Sequence, residues 1–132
     1  MWKILVVDDE SSAREVFEGA LSGKAVCDKA VSGKEALKLY YKSLENNSPY
    51  DLILLDVSMP DMGGMEVLNK IREKEAKGEG VPVIMISAHV APVFKAFKRG
   101  CDDYLVKPVS PLDLIKKIEE KLAKNKKGET DV

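Results

Sequence analysis

The sequence predicts an α/β fold, a doubly wound, five-stranded parallel sheet in (βα)5 order, and three features carry that prediction. Apolar runs alternate with helix-period patterns five times along the 132 residues. The strongest runs, Ile4-Leu5-Val6-Val7 and Leu52-Ile53-Leu54-Leu55, are apolar without alternation, as in strands covered on both faces. Four runs end on chemically loaded residues, at the edge where parallel sheets place their sites.

The elements follow in order. Strand one is Lys3-Val7. Helix one takes Ala13, Val16, Phe17 and Ala20 as its inner face, at i, i+3, i+4, i+7 spacing, with Ser11 or Ser12 as N-cap. Ala25-Lys29 alternates and reads as an edge strand. Gly33 turns the chain into helix two, where Leu37, Tyr40, Tyr41 and Leu44 form an apolar stripe, and Asn46-Asn47-Ser48-Pro49 stops it. Strand three, Asp51-Leu55, is the most apolar and belongs at the centre. Gly63-Gly64 introduces helix three (Met65, Leu68, Ile71), followed by the polar loop Lys77-Gly78-Glu79-Gly80. Pro82 opens strand four, Val83-Ser87. Pro92 suits the first turn of a short helix four, which Gly100 ends. Strand five is Asp102-Lys107, and Leu114, Ile115, Ile118 and Leu122 mark the inner face of helix five. Residues 1–124 form one domain and 125–132 a flexible tail. With strands one and three in the middle, the strand order is the flavodoxin-like 2-1-3-4-5, with right-handed crossovers.

The 21 basic and 22 acidic residues leave a net charge of −1, which gives no electrostatic reason to expect nucleic acid or an anionic membrane as a partner. No apolar run approaches the roughly 18 residues of a membrane span. Met1 leads straight into strand one rather than into a signal peptide, and a cytoplasmic location is expected. Cys27 and Cys101 form no Cys-x-x-Cys pair and are read as reduced, structural core thiols.

The order 2-1-3-4-5 brings Asp8-Asp9, after strand one, beside Asp56, after strand three, at the point where the winding reverses. Singly, these are compatible with turn or cap residues. Jointly, three carboxylates in one place repel one another, and one is pushed to a raised pKa unless a cation compensates. Mg²⁺ answers that need, being a hard cation with oxygen ligands. With Lys107 from the end of strand five, the cluster sums to no net charge and becomes receptive to phosphate. Lys107 is expected to pair with Asp56, and Pro108 to impose a cis bond that aims it. Ser87 offers a hydroxyl, and the small Ala88 leaves backbone N–H approachable by an anion. His89 is read as a solvent-facing residue at the mouth. Met59 and Met62 are read as loop packing and Met65 as helix-three core.

Leu5-Val6-Val7-Asp8-Asp9-Glu10 resembles the first strand and acidic pair of response-regulator receiver domains. Asp56-Val57-Ser58-Met59-Pro60-Asp61-Met62-Gly63-Gly64-Met65-Glu66 is similar to their phosphoacceptor strand and loop. Ser87-Ala88, Gly100-Cys101-Asp102-Asp103-Tyr104 and Lys107-Pro108 match further signature segments, and the likeness spans about residues 2–124. Cys101 departs from the alanine often found there, which small-hydrophobe packing explains.

The resemblance implies a phosphorylation-activated signalling switch in two-component systems, of the chemotaxis-regulator-like single-domain kind, and not an enzyme. Asp56 would accept a phosphoryl group from the phosphohistidine of a histidine kinase or phosphotransfer protein. Asp9 would ligate Mg²⁺ directly, Asp8 mainly through water, and Ser58 through its backbone carbonyl. Ser87, Ala88 and Lys107 would contact the phosphoryl group, and Ser87 and Tyr104 would form the switch, Ser87 swinging toward the phosphoryl group and Tyr104 moving inward from solvent. Autodephosphorylation is expected to follow.

Other readings predict different residues. An aspartate-nucleophile phosphohydrolase needs Asp-x-Asp and a cap domain, whereas this acidic pair is adjacent. A flavodoxin-like cofactor binder needs a Ser/Thr/Gly-rich phosphate loop after strand one, where Asp8-Asp9-Glu10 stand. An inert scaffold would not need the whole acid, hydroxyl and lysine set. If the chain is complete, helix five leaves no room for a DNA-binding or catalytic output domain. Output is then expected through protein contact at the helix four–strand five–helix five face, near Lys95, Lys98, Tyr104, Lys116 and Lys117.

Overall fold

A computed structural model describes residues 1–75, 80–90 and 93–130. The chain runs β1 (Trp2–Val7), α1 (Ser11–Ala20), β2 (Ala25–Ala30), α2 (Gly33–Glu45), β3 (Leu52–Asp56), α3 (Gly64–Lys74), β4 (Val83–Ser87), α4 (Val93–Lys98), β5 (Asp103–Val106) and α5 (Pro111–Thr130). All five strands are parallel, in the order β2-β1-β3-β4-β5, so the predicted fold and strand order are those observed.

Strand residues alternate between two cores, as the period of two requires. Leu5, Val7, Ile53, Leu55, Val83 and Met85 meet α2, α3 and α4 on one face. Ile4, Val6, Leu52, Leu54, Ile84 and Ile86 meet α1 and α5 on the other. Every residue of β3 and β4 is buried, which accounts for their unalternating apolar sequence. Cys101 is buried and Cys27 half-buried, both as free thiols. No helix among the described residues is long and apolar enough to cross a membrane.

Several details differ from the expectations. Neither Ser11 nor Ser12 caps α1, because the helix starts at Ser11 and Glu10 occupies the N-cap without a side-chain bond. Val16 is half exposed, since Phe17 takes the inward position and Val16 is left at the flank, lining a groove with Lys107, Pro108 and Val109. Leu44 is likewise at the surface, so the α2 stripe is narrower than predicted. Met65 and Ile115 are only half-buried, with Val67, Leu68 and Ile71 filling the α3 core. β5 stops at Val106, one residue short of Lys107. The helical backbone of α5 continues past residue 124 to Thr130. Pro92, part of the Lys77-Gly80 loop and the last two residues of the chain lie outside the described residues.

α2 carries a cap that the sequence reading passed over. The Ser32 hydroxyl accepts the Glu35 N–H at 3.2 Å, and the Glu35 carboxylate accepts the Val31 N–H at 3.1 Å. Ser32-Gly33-Lys34-Glu35 is a capping-box pattern legible in the sequence.

Candidate functional site

Register builds the site. Val7 lies opposite Leu55, so Asp8 leaves β1 beside Asp56 at the end of β3. Asp56 lies opposite Ile86, which sets Ser87 one residue further along. Ser87 lies opposite Val106, and the Lys107 N–H donates to the Ser87 carbonyl at 2.7 Å. Four strand ends therefore deliver Asp8, Asp56, Ser87 and Lys107 to one edge, as the sequence predicts.

Asp8, Asp9 and Asp56 each place a carboxylate oxygen within 4.8 Å of the others. Asp8 and Asp56 are buried, and Asp9 is exposed. The Lys107 ammonium reaches Asp8 Oδ2 at 3.0 Å and Asp56 Oδ2 at 3.6 Å. Its nearer partner is thus Asp8, not the expected Asp56, and the Lys107-Pro108 peptide is cis as expected. Asp8 Oδ1 accepts the Glu10 N–H at 3.0 Å, and Asp56 Oδ1 accepts the Ser58 N–H at 3.2 Å. Gly64 opens α3 against Asp56, where any Cβ would overlap the Asp56 carbonyl.

The electrostatics follow from this crowding. Burial, and then the Asp8 carboxylate, push Asp56 up to about 6, against the opposing pull of Lys107 and the Ser58 N–H. Burial would lower the Lys107 pKa, but its hydrogen bond to Asp8 and the charges of Asp56, Asp8 and Glu10 raise it instead, so it remains an ammonium. Lys107 thus pairs with the buried Asp8 and Asp56, while among the described residues no cation pairs with the exposed Asp9 carboxylate. That is a donor set of hard oxygens, short of positive charge, and it fits a divalent cation.

Ser87 is fully buried, and its hydroxyl accepts the His89 N–H at 3.1 Å. The Tyr104 hydroxyl donates to the His89 carbonyl at 3.1 Å. Tyr104 is buried here, which corrects the expectation that it starts in solvent. The sequence reading missed two contributors. The His89 backbone joins Ser87 to Tyr104, and Arg14 donates from Nη1 to the Asp8 carbonyl at 2.6 Å. Ala88, Ser58 and His89 are exposed at the mouth.

Comparison with known proteins agrees with this geometry. A sequence model of the response regulator receiver domain matches residues 4–119. The transcriptional regulatory protein ResD of Bacillus subtilis (strain 168) is 42% identical over 120 residues, spanning 89% of this chain and 46% of ResD. A chemotaxis protein CheY homolog of Campylobacter jejuni is 36% identical over 124 residues, spanning 91% of this chain and 92% of the homolog. The chain thus spans about half the length of some curated relatives and nearly all of others. Among solved structures, a CheY-like receiver domain protein from Methanospirillum hungatei JF-1 superposes with a TM-score of 0.82 at 30% identity, covering 97% of this chain and 98% of that one. The BeF3-activated DrrB receiver domain superposes with a TM-score of 0.75 at 28% identity, covering 93% and 98%. Matched over residues 4–119 and built on the same sheet, the chain belongs to the response regulator receiver domain family, a family of signalling domains.

Proposed function

We propose that residues 1–124 act as a phosphorylation-activated switch in two-component signalling, with Asp56 as the acceptor. The observation that carries this reading is the buried Asp56 carboxylate, within 4.8 Å of Asp8 and Asp9 and 3.6 Å from the Lys107 ammonium. An Asp56 oxygen attacks phosphorus in line, the bond from phosphorus to the donor imidazole nitrogen breaks, and the electron pair leaves with that nitrogen. Such a transfer depends mostly on positioning and charge compensation. Lys107 is already held where phosphoryl oxygens arrive, and the Ser87 hydroxyl and Ala88 N–H supply further donors.

Mg²⁺, held by Asp9 directly, by Asp8 chiefly through water, and by Asp56 and the Ser58 carbonyl, would neutralise the acids and the incoming phosphoryl oxygens. The donor is a histidine kinase or phosphotransfer protein, and water returns Asp56 to its free state. Output passes to a downstream protein at the α4–β5–α5 face, where Lys95, Lys98 and Lys116 are exposed and Tyr104 reports on the site. Nothing in the charge balance favours nucleic acid or membrane as the direct partner. Mg²⁺ titration by calorimetry tests the site, with Asp9→Asn weakening binding more than Asp8→Asn. Unchanged affinity in both variants would remove the metal assignment.

A further inference from the structure

We propose that Arg14 is a positioning residue for the acidic site and acts through Asp9. This inference rests on the reading of Asp8, Asp9 and Asp56 as a cation-binding, phosphoryl-accepting cluster. The three carboxylates are not held alike. Asp8 is fixed through both oxygens, by the Glu10 N–H and by Lys107. Asp56 is fixed by the Ser58 N–H and by Lys107. Among the described residues, no hydrogen bond or ion pair restrains the Asp9 carboxylate, which is also the exposed member of the trio. Its place beside the other two is therefore set by the backbone that carries it.

That backbone is clamped from two sides. The Asp8 N–H donates to the Ala30 carbonyl at 3.1 Å, which continues the β1–β2 ladder by one residue. The Asp8 carbonyl accepts from Arg14 at 2.6 Å. This carbonyl belongs to the peptide plane that joins Asp8 to Asp9, so holding it fixes the direction in which the chain leaves Asp8. Arg14 is placed for this by the first turn of α1, where its N–H bonds the Glu10 carbonyl at 3.2 Å and its side chain reaches back over the turn. The guanidinium is a rigid, permanently charged donor suited to a partly buried carbonyl near acids. Holding Asp9 near two like charges before any cation arrives is work that a free turn would not do, because repulsion would drive the exposed acid outward.

The test is calorimetric titration of the full chain with Mg²⁺ alone, paired with thermal unfolding in EDTA, on the parent, Arg14→Ala, Arg14→Met and Arg14→Lys. Arg14→Met keeps the stem and removes the donors, so it serves if the alanine variant folds poorly. Arg14→Ala and Arg14→Met are expected to bind Mg²⁺ about tenfold more weakly, in the range seen when groups supporting a metal ligand are lost. Arg14→Lys should recover part of the loss, since an ammonium can still donate to the carbonyl. A lower melting temperature in EDTA with Mg²⁺ affinity equal to the parent's would show a merely structural role and overturn the inference alone. A parent chain that does not bind Mg²⁺ would overturn the reading of the site, and the inference with it.

Discussion

The Tyr104 hydroxyl is tied to the carbonyl of His89, whose own N–H is tied to the Ser87 hydroxyl, so one residue's backbone links the site to the α4–β5–α5 face. Phosphorylating Asp56 replaces a carboxylate with a group of charge about −1.5 to −2 that offers strong acceptor oxygens. On the proposed reading, the Ser87 hydroxyl is expected to be drawn toward it and to release the His89 N–H, so that the loop that holds Tyr104 moves to a second packing. Ser87→Ala should still accept phosphate but transmit little. The check is NMR of the Tyr104 ring with and without beryllofluoride: a change in the parent and little change in the variant. Identical responses would sever Ser87 from Tyr104.

Stability should depend on pH through Asp56. Its folded pKa, about 6, lies above the ordinary 3.8, so the folded state holds this proton more tightly than the unfolded state does. Without Mg²⁺, the protein should therefore gain stability from this group as pH falls from about 7 to about 4. The gap between about 6 and 3.8 puts a ceiling of about 3 kcal/mol on the effect. Asp103 acts in the opposite sense. Burial would raise its pKa, but the Tyr104 N–H and Lys117 and Lys121 lower it overall, so its contribution is lost only below the ordinary carboxylate range. Denaturant unfolding in EDTA at several pH values should show Asp56→Asn more stable than the parent at pH 7 and lacking this slope. Parallel curves would contradict it.

Much of this was legible in the sequence because the strands are buried on both faces and the chemistry sits at their ends. Unalternating runs such as Leu52-Ile53-Leu54-Leu55 leave few topologies open, and one of them brings Asp8 and Asp56 together. Less was legible where a contact depends on a long or partly exposed side chain. Val16 fits the helical period as well as Phe17 does, and only packing decides which is buried. Whether Lys107 meets Asp8 or Asp56 first is a matter of less than an ångström. Arg14 carries no periodic signal, since its partner is a backbone carbonyl in the preceding turn.

Far from the site, Arg72 joins three segments. Its guanidinium donates to the Gly100 carbonyl at 2.9 Å, the Val81 carbonyl at 2.9 Å, Glu75 at 2.6 Å and Asp102 at 2.9 Å. Arg72→Met should cost roughly 2–4 kcal/mol, because it leaves the partly buried Val81 and Gly100 carbonyls without this donor. It also takes the cation from Glu75 and Asp102, which then keep, among the described residues, only the Val81 and Val83 N–H groups. Arg72→Lys should fall between, having charge without the planar fork. Urea unfolding reads this directly, and a loss below about 0.5 kcal/mol would place Arg72 among surface ion pairs of little weight.

The lifetime of the phosphorylated state should depend on Ser58 and His89, which are exposed at the mouth where water approaches. Substituting either side chain should change the decay rate of the acyl phosphate while leaving Asp56 competent to accept it. Decay followed by phosphate release under Mg²⁺ measures this, and equal rates in parent and variants would show that neither side chain gates water.

The central claim is that Asp56 is the acceptor, and intact mass spectrometry after incubation with Mg²⁺ and acetyl phosphate tests it most directly. The parent should gain a single base-labile phosphoryl group, and Asp56→Asn should gain none. Equal phosphorylation of the two would contradict the assignment of the site.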